Sequence, residues 1–408
     1  MDLVDKGLRR RRKVCSVHFT HQRKEFKLTG EVLDMNCNFQ CYASAAFGME
    51  SLVARELKRL PYITDASAEN GGVRFRTDGS GLFLANLSMH FSDRLYLILG
   101  EKKCTSFDHL FHMVYDIDWM LYFSGSESID VSCKCTRSTL MSPRDCQSIT
   151  KKAIIEKLRN STGQKNFPET GASLMVHISV RYDTVMILLN ASGDALSRRG
   201  YRTWNGEAPI RETLAAALVE LSGWHPGQPL HDPCCGTGTI LAEAALIASG
   251  TAPGLKRSFS MEKYKCFSDL DFTALRSLLA DQSDPGKIIH ISGSDINPDA
   301  LELARRHFFQ AGFSEHQIPL EQIPLQDLSV NTSDGVFICN PPYGERLSDQ
   351  KQCRALYREL FMLKKRHPTW RLCAISSDPA FERSFGKRAD KKRRLYNGRL
   401  ECVYYIYY

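Results

Sequence analysis

The side chains best suited to chemistry stand in Asn340-Pro341-Pro342-Tyr343, directly after the apolar run 335–339 (GVFIC). These residue types can hold a planar exocyclic amine still while an electrophile is brought to its nitrogen. The Asn340 side-chain carbonyl accepts one amine hydrogen. The backbone carbonyl of Pro341 or Pro342 accepts the other, because a proline keeps its carbonyl and its ring fixes the chain direction. Tyr343 offers a flat face for an aromatic base. A plain strand-to-loop turn accounts for the same four residues, since Asn-Pro and Pro-Pro are common turn formers. A β-branched and aromatic run halted by two prolines predicts a buried strand with these residues at its carboxyl edge, where open α/β sheets keep their chemistry.

A second stretch, 230–239 (LHDPCCGTGT), reads as a strand, a glycine turn and then an apolar helix over 240–248. Gly236 and Gly238 let the backbone approach a ligand, and the helix amino terminus offers free N–H groups to a carboxylate or phosphate. Leu241 occupies the place of a third dinucleotide-type glycine. The full GxGxxG fingerprint is therefore absent, which favours a smaller nucleoside over a nicotinamide dinucleotide. Asp232 at the strand tip can take the ammonium of an amino-acid ligand. The next strand, 287–294, ends in Asp295, where an acidic residue holds a ribose diol; a helix over 298–311 follows. The long gap between them is filled by 251–286, an insertion rich in Pro, Lys and Ser with a short helix. Asp327, after a strand at 320–323, is placed either to meet an adenine amino group or to cap its own loop.

The elements that must position these groups belong to a chain of 408 residues, 43% hydrophobic and 25% charged. That is ordinary globular composition with room for two or three domains. A formal charge of +8 favours a polyanionic partner. Fourteen cysteines are scattered, with no CxxC pair and no ligand-spaced Cys/His cluster, so reduced thiols, a cytoplasmic location and no metal are expected. No apolar run reaches the roughly eighteen residues of a membrane span, and the amino terminus lacks a signal-peptide core.

Residues 1–37, with the run Arg9-Arg10-Arg11-Arg12-Lys13, read as a basic, disordered leader or a nucleic-acid arm. From there a first α+β unit (38–100) has strands at 39–44, 63–68 and 72–77 and helices at 48–60 and 81–90. A second (101–190) has a strand at 130–135, a helix at 142–159 opened by Pro143, and a hairpin of strands 174–181 and 184–190. Lys134, Arg137, Arg144, Lys151, Lys152 and Lys157 give this unit a cationic face, either solvated or in contact with RNA. Residues 191–209 form the linker. There Arg198, Arg199 and Arg202 interleave with Tyr201 and Trp204, a mixture suited to single-stranded RNA, or to a seam whose aromatics are buried. The last domain (210–408) opens with a helix over 211–223. After a strand at 370–376 comes the basic run Lys387, Arg388, Lys391, Lys392, Arg393, Arg394, a loop that either meets phosphate or serves solubility. A hairpin turned at Asn397-Gly398 closes the chain.

DPCCGTGT, SDINPDA and NPPYGERL in that order resemble the class I S-adenosylmethionine-dependent methyltransferases that act on exocyclic amines. With the upstream segments AAFGMESLVARELK, PRDCQSITKKAIIEKL and APIRETLAAALVELSGW, the chain from about residue 38 resembles the THUMP-containing bacterial 23S rRNA guanine-N2 methyltransferase family. The resemblance implies an α/β fold: a Rossmann-like domain with a mostly parallel seven-stranded sheet, preceded by ferredoxin-like and THUMP domains. It implies S-adenosylmethionine as cofactor, with Asp232, Cys235, Gly236 and Gly238 at its methionine end, Thr213 nearby, Asp295 on the ribose and Asp327 on the adenine. Asn340 and the Pro341 carbonyl would take the amine hydrogens, and Tyr343 would stack on the flipped base. Lys151, Lys152, Arg198, Arg199, Arg202, Lys391 and Lys392 would face RNA, the partner being 23S rRNA or a pre-ribosomal particle, with no membrane and no obligate protein partner. Cys234 stands where the family more often has an aromatic residue. The second methyltransferase domain of some relatives is not present, so a single modification is expected. Two other readings stay open: a DNA or RNA adenine-N6 methyltransferase, which the same site chemistry permits, and a non-catalytic RNA-binding assembly factor.

Overall fold

Alternating apolar positions in the first half of the chain fold into one sheet rather than two. A computed structural model describes residues 39–202, 210–342 and 347–408, less the side chains of 347–350. The basic leader, Trp204 and Tyr343 lie outside the described residues. The first elements are β1 (Phe39–Ser44), α1 (Glu50–Leu57), β2 (Thr64–Glu69), β3 (Gly72–Thr77), α2 (Gly79–Ser88), β4 (Arg94–Lys103), α3 (Phe107–Tyr115), β5 (Ser128–Thr136), α4 (Pro143–Thr162), β6 (Ser173–Arg181) and β7 (Thr184–Asn190). Their strands lie in the order β2-β3-β1-β4-β7-β6-β5. The expected scheme has no strand at β4, yet this strand joins the two units: Ser44 pairs with Arg94 at one end and Thr184 with Lys103 at the other. Between Arg94 and Gly100 it is apolar at every position, and its last three residues are charged, so no period of two marks it. Helix α4 follows its expected signals. Ser142 accepts the Asp145 N–H at 3.3 Å, Pro143 opens the first turn, and Gly163, at φ +73°, closes the last.

The second half contains α5 (Glu212–Leu221), β8 (Leu230–Asp232), α6 (Thr239–Ser249), α7 (Phe272–Ala280), β9 (Ile291–Asp295), α8 (Pro298–Ala311), β10 (Leu320–Gln322), β11 (Val336–Cys339), α9 (Leu347–Arg366), β12 (Arg371–Ser376), α10 (Phe381–Phe385), β13 (Lys391–Asn397) and β14 (Leu400–Tyr407). The sheet order is β10-β9-β8-β11-β12-β14-β13. The first five strands are parallel, and β14 runs antiparallel to both its neighbours. This is the expected mostly parallel seven-stranded sheet. The basic run is not a loop: Lys391, Lys392, Arg393 and Arg394 lie within β13, the edge strand, where charge discourages further pairing. The hairpin turn falls one residue later than expected, at Gly398-Arg399, with Gly398 at φ +66°.

Residues 191–202 are a packed seam and not a free linker. Ala191, Leu196, Arg199 and Tyr201 are buried, and Arg257 donates to the carbonyls of Ala195, Asp194 and Arg198 at 2.6, 2.7 and 3.0 Å. The insertion at 251–286 packs inward as well, with Phe259 and Phe272 against Phe83 of α2 and Phe267 against Phe39 of β1. One continuous apolar cluster thus spans both sheets, and a smaller one fills the space between β11, β12, α9 and the closing hairpin. Among the described residues no helix is long and apolar enough to cross a membrane.

Candidate active site

Strands β8 and β11 are parallel neighbours, with Leu230 opposite Val336 and His231 opposite Phe337. From β8 the chain moves outward through β9 to β10; from β11 it moves the other way to β12. Strand order therefore reverses between β8 and β11, and the crevice at their carboxyl ends is where such sheets bind ligands. Asp232 ends β8, and Asn340, half-buried, follows Cys339 at the end of β11. All four residues of β11 are buried, which fixes the strand that presents Asn340.

Asp232 is buried, and its Oδ1 accepts the Cys234 N–H at 3.1 Å. Burial pushes its carboxyl well above the usual range, the Cys234 N–H works against this, and nearby Asp295 adds to it; no cation among the described residues offsets the effect. A cationic ligand would supply what this carboxylate lacks. Asp295 ties the second strand tip to the glycine turn: its Oδ2 accepts the Gly236 N–H at 2.8 Å and its Oδ1 the Asn297 N–H at 2.9 Å. Gly236, at φ +50°, borders open space on its missing side-chain face, as a ligand cradle requires. Gly238 has a packing task as well: at φ +74° a Cβ there would lie 2.7 Å from Phe308 and 3.0 Å from Ala304, so its bare backbone also admits helix α8.

Sequence reasoning missed several residues that shape this turn. Opposite Leu241, the glycine needed for close helix-to-strand packing is supplied by Gly293 on β9, where a Cβ would collide with the Leu241 side chain and lie 3.1 Å from Cys235 Cβ. Beneath the strand tips His231 is buried between Ser292 Oγ (Nδ1, 2.8 Å) and Ser294 Oγ (Nε2, 3.0 Å), and burial lowers its pKa to about 4. His307 of α8 places Nδ1 3.0 Å from the Thr237 carbonyl. None of these carried a local signal, because each acts on a partner distant in the chain.

On the other side of the crevice, the Tyr357 hydroxyl of α9 donates to the Pro342 carbonyl at 3.1 Å and lies 3.3 Å from Ser376 Oγ. Pro342 is thereby an anchor for the loop, its carbonyl already engaged. Thr213 is buried in α5 and donates to Asp93 Oδ1 at 3.3 Å. Asp327 is exposed in a turn closed by its own N–H on the Pro324 carbonyl at 3.0 Å.

The expected RNA-facing cations divide. Arg199 is not at the surface: 2% exposed, it pairs at 3.3 Å with Glu243, 0% exposed, and it also donates to the Met89, Leu196 and His90 carbonyls. Tyr201 donates to the same Glu243 at 2.9 Å. Arg202 is mostly buried against Glu212 at 3.1 Å. The surface cations are Lys151 near Glu169, Lys152 over the Phe111 ring, Arg198 with Asp194, Lys391 over Tyr408, and Lys392 with Glu382. The cysteine reading also needs correction, since folding gathers the thiols of Cys133, Cys135 and Cys146 within 4.8 Å of one another.

Comparison with known proteins follows this geometry. Residues 199–406 match the family model described as "RMKL-like, methyltransferase domain", 40–96 the RlmL ferredoxin-like domain, and 104–190 the THUMP domain. The chain is 37% identical over 368 residues to YpsC of Bacillus subtilis (strain 168), whose name assigns it provisionally to the RNA methyltransferases; the match covers 90% of this chain and 95% of that one. It is 31% identical over 376 residues to the ribosomal RNA large subunit methyltransferase K/L of Shewanella frigidimarina (strain NCIMB 400), covering 90% of this chain but 52%, about half, of that protein. The crystal structure of SMU.472, provisionally titled a methyltransferase and complexed with SAH, superposes with a TM-score of 0.84 at 37% identity, covering 92% of this chain and 99% of that one.

Proposed function

The chain belongs to the RMKL-like methyltransferase family, and from that premise we propose that it transfers a methyl group from S-adenosylmethionine to the exocyclic N2 amine of a guanine in 23S rRNA. The observation that carries this reading is the placement of half-buried Asn340 at the carboxyl end of β11, beside the buried Asp232 that ends β8. The relative named for ribosomal RNA and the neighbour complexed with SAH support the substrate and the cofactor.

The donor set fits the cofactor. Asp232 takes its ammonium, the turn at Cys235, Gly236 and Gly238 and the amino terminus of α6 take its carboxylate, Thr213 stands behind the turn, Asp295 holds the ribose diol and Asp327 the adenine amine. When bound, the cofactor supplies a sulfonium methyl that is already a strong electrophile. The protein therefore needs little acid-base power, and its task lies with the amine, whose lone pair is delocalised into the base. Asn340 Oδ1 and the Pro341 carbonyl accept the two amine hydrogens, which favours a pyramidal nitrogen with its lone pair directed at the methyl. The same two acceptors stabilise the positive charge that develops on nitrogen. The proton then leaves to water. Tyr343 stacks on the base, which must leave its helix to enter the crevice. Lys151, Lys152, Arg198, Lys391 and Lys392 are the cations that meet RNA phosphate, in 23S rRNA or a pre-ribosomal particle within the cytoplasm.

Asn340→Ala tests the site. Its turnover falls by about 10² to 10³, the cost of deleting one transition-state hydrogen bond, while calorimetry shows SAH binding retained. Unchanged turnover would sink the assignment.

A further inference from the structure

We propose that Cys133, Cys135 and Cys146 form a three-thiolate site for a soft d10 metal ion, zinc or copper(I), which pins the first turn of α4 to strand β5. The alternation of a strand puts Cys133 and Cys135 on one face of β5, together with Ile129 and Val131. Helix α4 packs on β5, and Cys146 is buried in its first turn. The three sulfurs come from two elements and lie within 4.8 Å of one another, with 3.7 Å between Cys133 and Cys135.

The 3.7 Å between the strand thiols is that of a thiol–thiol hydrogen bond, and it also matches the edge of a metal site. Metal–sulfur bonds of about 2.3 Å set sulfur–sulfur edges of roughly 3.8 Å in a tetrahedron and roughly 4.0 Å in a trigonal plane. The two strand thiols already stand at this separation, and rotation of the Cys146 side chain closes the third edge. Thiolate sets of this kind select zinc and copper(I) over hard cations. Copper(I) is satisfied by three sulfurs, whereas zinc keeps its fourth position for water. Access is open, because β5 is an edge strand and Cys133 and Cys135 are only half-buried, unlike core thiols such as Cys41 and Cys373. Among the described residues this is the one such gathering of His, Cys, Asp or Glu side chains. The ion would fix the start of the helix that carries Lys151 and Lys152, and so fix where those two cations stand.

The test uses the full chain, purified under reducing conditions and stripped with a chelator. It is titrated with zinc and, separately, with copper(I) against a chromophoric competitor. The wild type takes up one tightly held equivalent of one of these ions, and the ion retained decides between them. Cys146→Ser loses that equivalent, Cys133→Ser binds at least tenfold more weakly, and Cys266→Ser, outside the cluster, binds as the wild type does. Saturating ion raises the thermal midpoint of the wild type and not of Cys146→Ser. Far-UV circular dichroism checks that the variants are folded. Should Cys146→Ser fail to fold, Cys133→Ser, at a half-exposed position, carries the test. Equal uptake by the wild type and the folded variants, or no uptake by the wild type, overturns the proposal. So does a Cys146 disulfide forming where ion was expected.

Discussion

On the proposed reading Asn340 and Asp295 serve the two halves of one reaction, so their variants should fail differently. Asp295→Ala removes the acceptor proposed for the ribose and releases the Gly236 N–H held at 2.8 Å. Calorimetry should show SAH affinity falling at least tenfold, and equal binding would contradict the ribose role. His231 makes a separate prediction. Its pKa is about 4 in the folded chain against an ordinary 6.5, so the folded state binds fewer protons than the unfolded one. The stability it contributes is present above 6.5 and is lost as pH falls toward 4, roughly 2 kcal/mol by about pH 5. Urea unfolding across that window checks this, and an identical profile in His231→Asn would contradict it. At this scale the residues legible in the sequence were polar ones ending apolar runs, Asp232, Asp295 and Asn340. His231, His307 and Tyr357 were not legible, because a buried side chain's purpose is set by whichever group folding brings beside it.

Elements were legible where their own residues carried the signal. Helix α8 begins at Pro298 after the Asn297 cap and ends before Gly312, as its sequence predicts. Strand β4 was not, since its middle, residues 95–99, is apolar throughout and its last three residues are charged. Helix α9 has no place in the expected scheme although Cys353, Tyr357, Leu360 and Leu363 are buried at helical spacing, because charged residues crowd the positions between them. The packing of α6 on β9 offers a prediction of this scale. Gly293→Ala drives a methyl into Leu241 and costs about 1–3 kcal/mol. In the double variant Gly293→Ala with Leu241→Ala, the space vacated by one change receives the other. Its destabilisation should be clearly less than the sum of the single losses. Full additivity by thermal or urea unfolding would show that the two side chains do not compete for the same space.

Across the whole molecule, Arg199, Tyr201 and Arg202 take the buried-seam role of the two that their composition allowed, and weld its parts together. Arg199 reaches the Met89 and His90 carbonyls beyond α2 while pairing with Glu243 of α6. Burial works most strongly against its charge, but Glu243, Tyr201 and Glu212 together hold the guanidinium above its ordinary pKa. Composition could not separate the two roles, because Arg and Tyr serve a buried network as readily as a nucleic-acid surface. Glu243→Ala leaves the Arg199 charge buried and unpaired, and should cost about 3–5 kcal/mol in urea unfolding; a loss below about 1 kcal/mol would mean the pair is dispensable. Welded in this way, the first sheet and its helix α4 hold Lys151 and Lys152 at a fixed offset from the crevice at Asn340, as the roles proposed for them require. The most direct measurement is transfer of labelled methyl from S-adenosylmethionine by the full chain to 23S rRNA lacking its natural modifications, with nucleoside analysis of the product. N2-methylguanosine, absent when Asn340→Ala replaces the wild type, is the predicted result; N6-methyladenosine, or no transfer to RNA despite measurable cofactor binding, would contradict it.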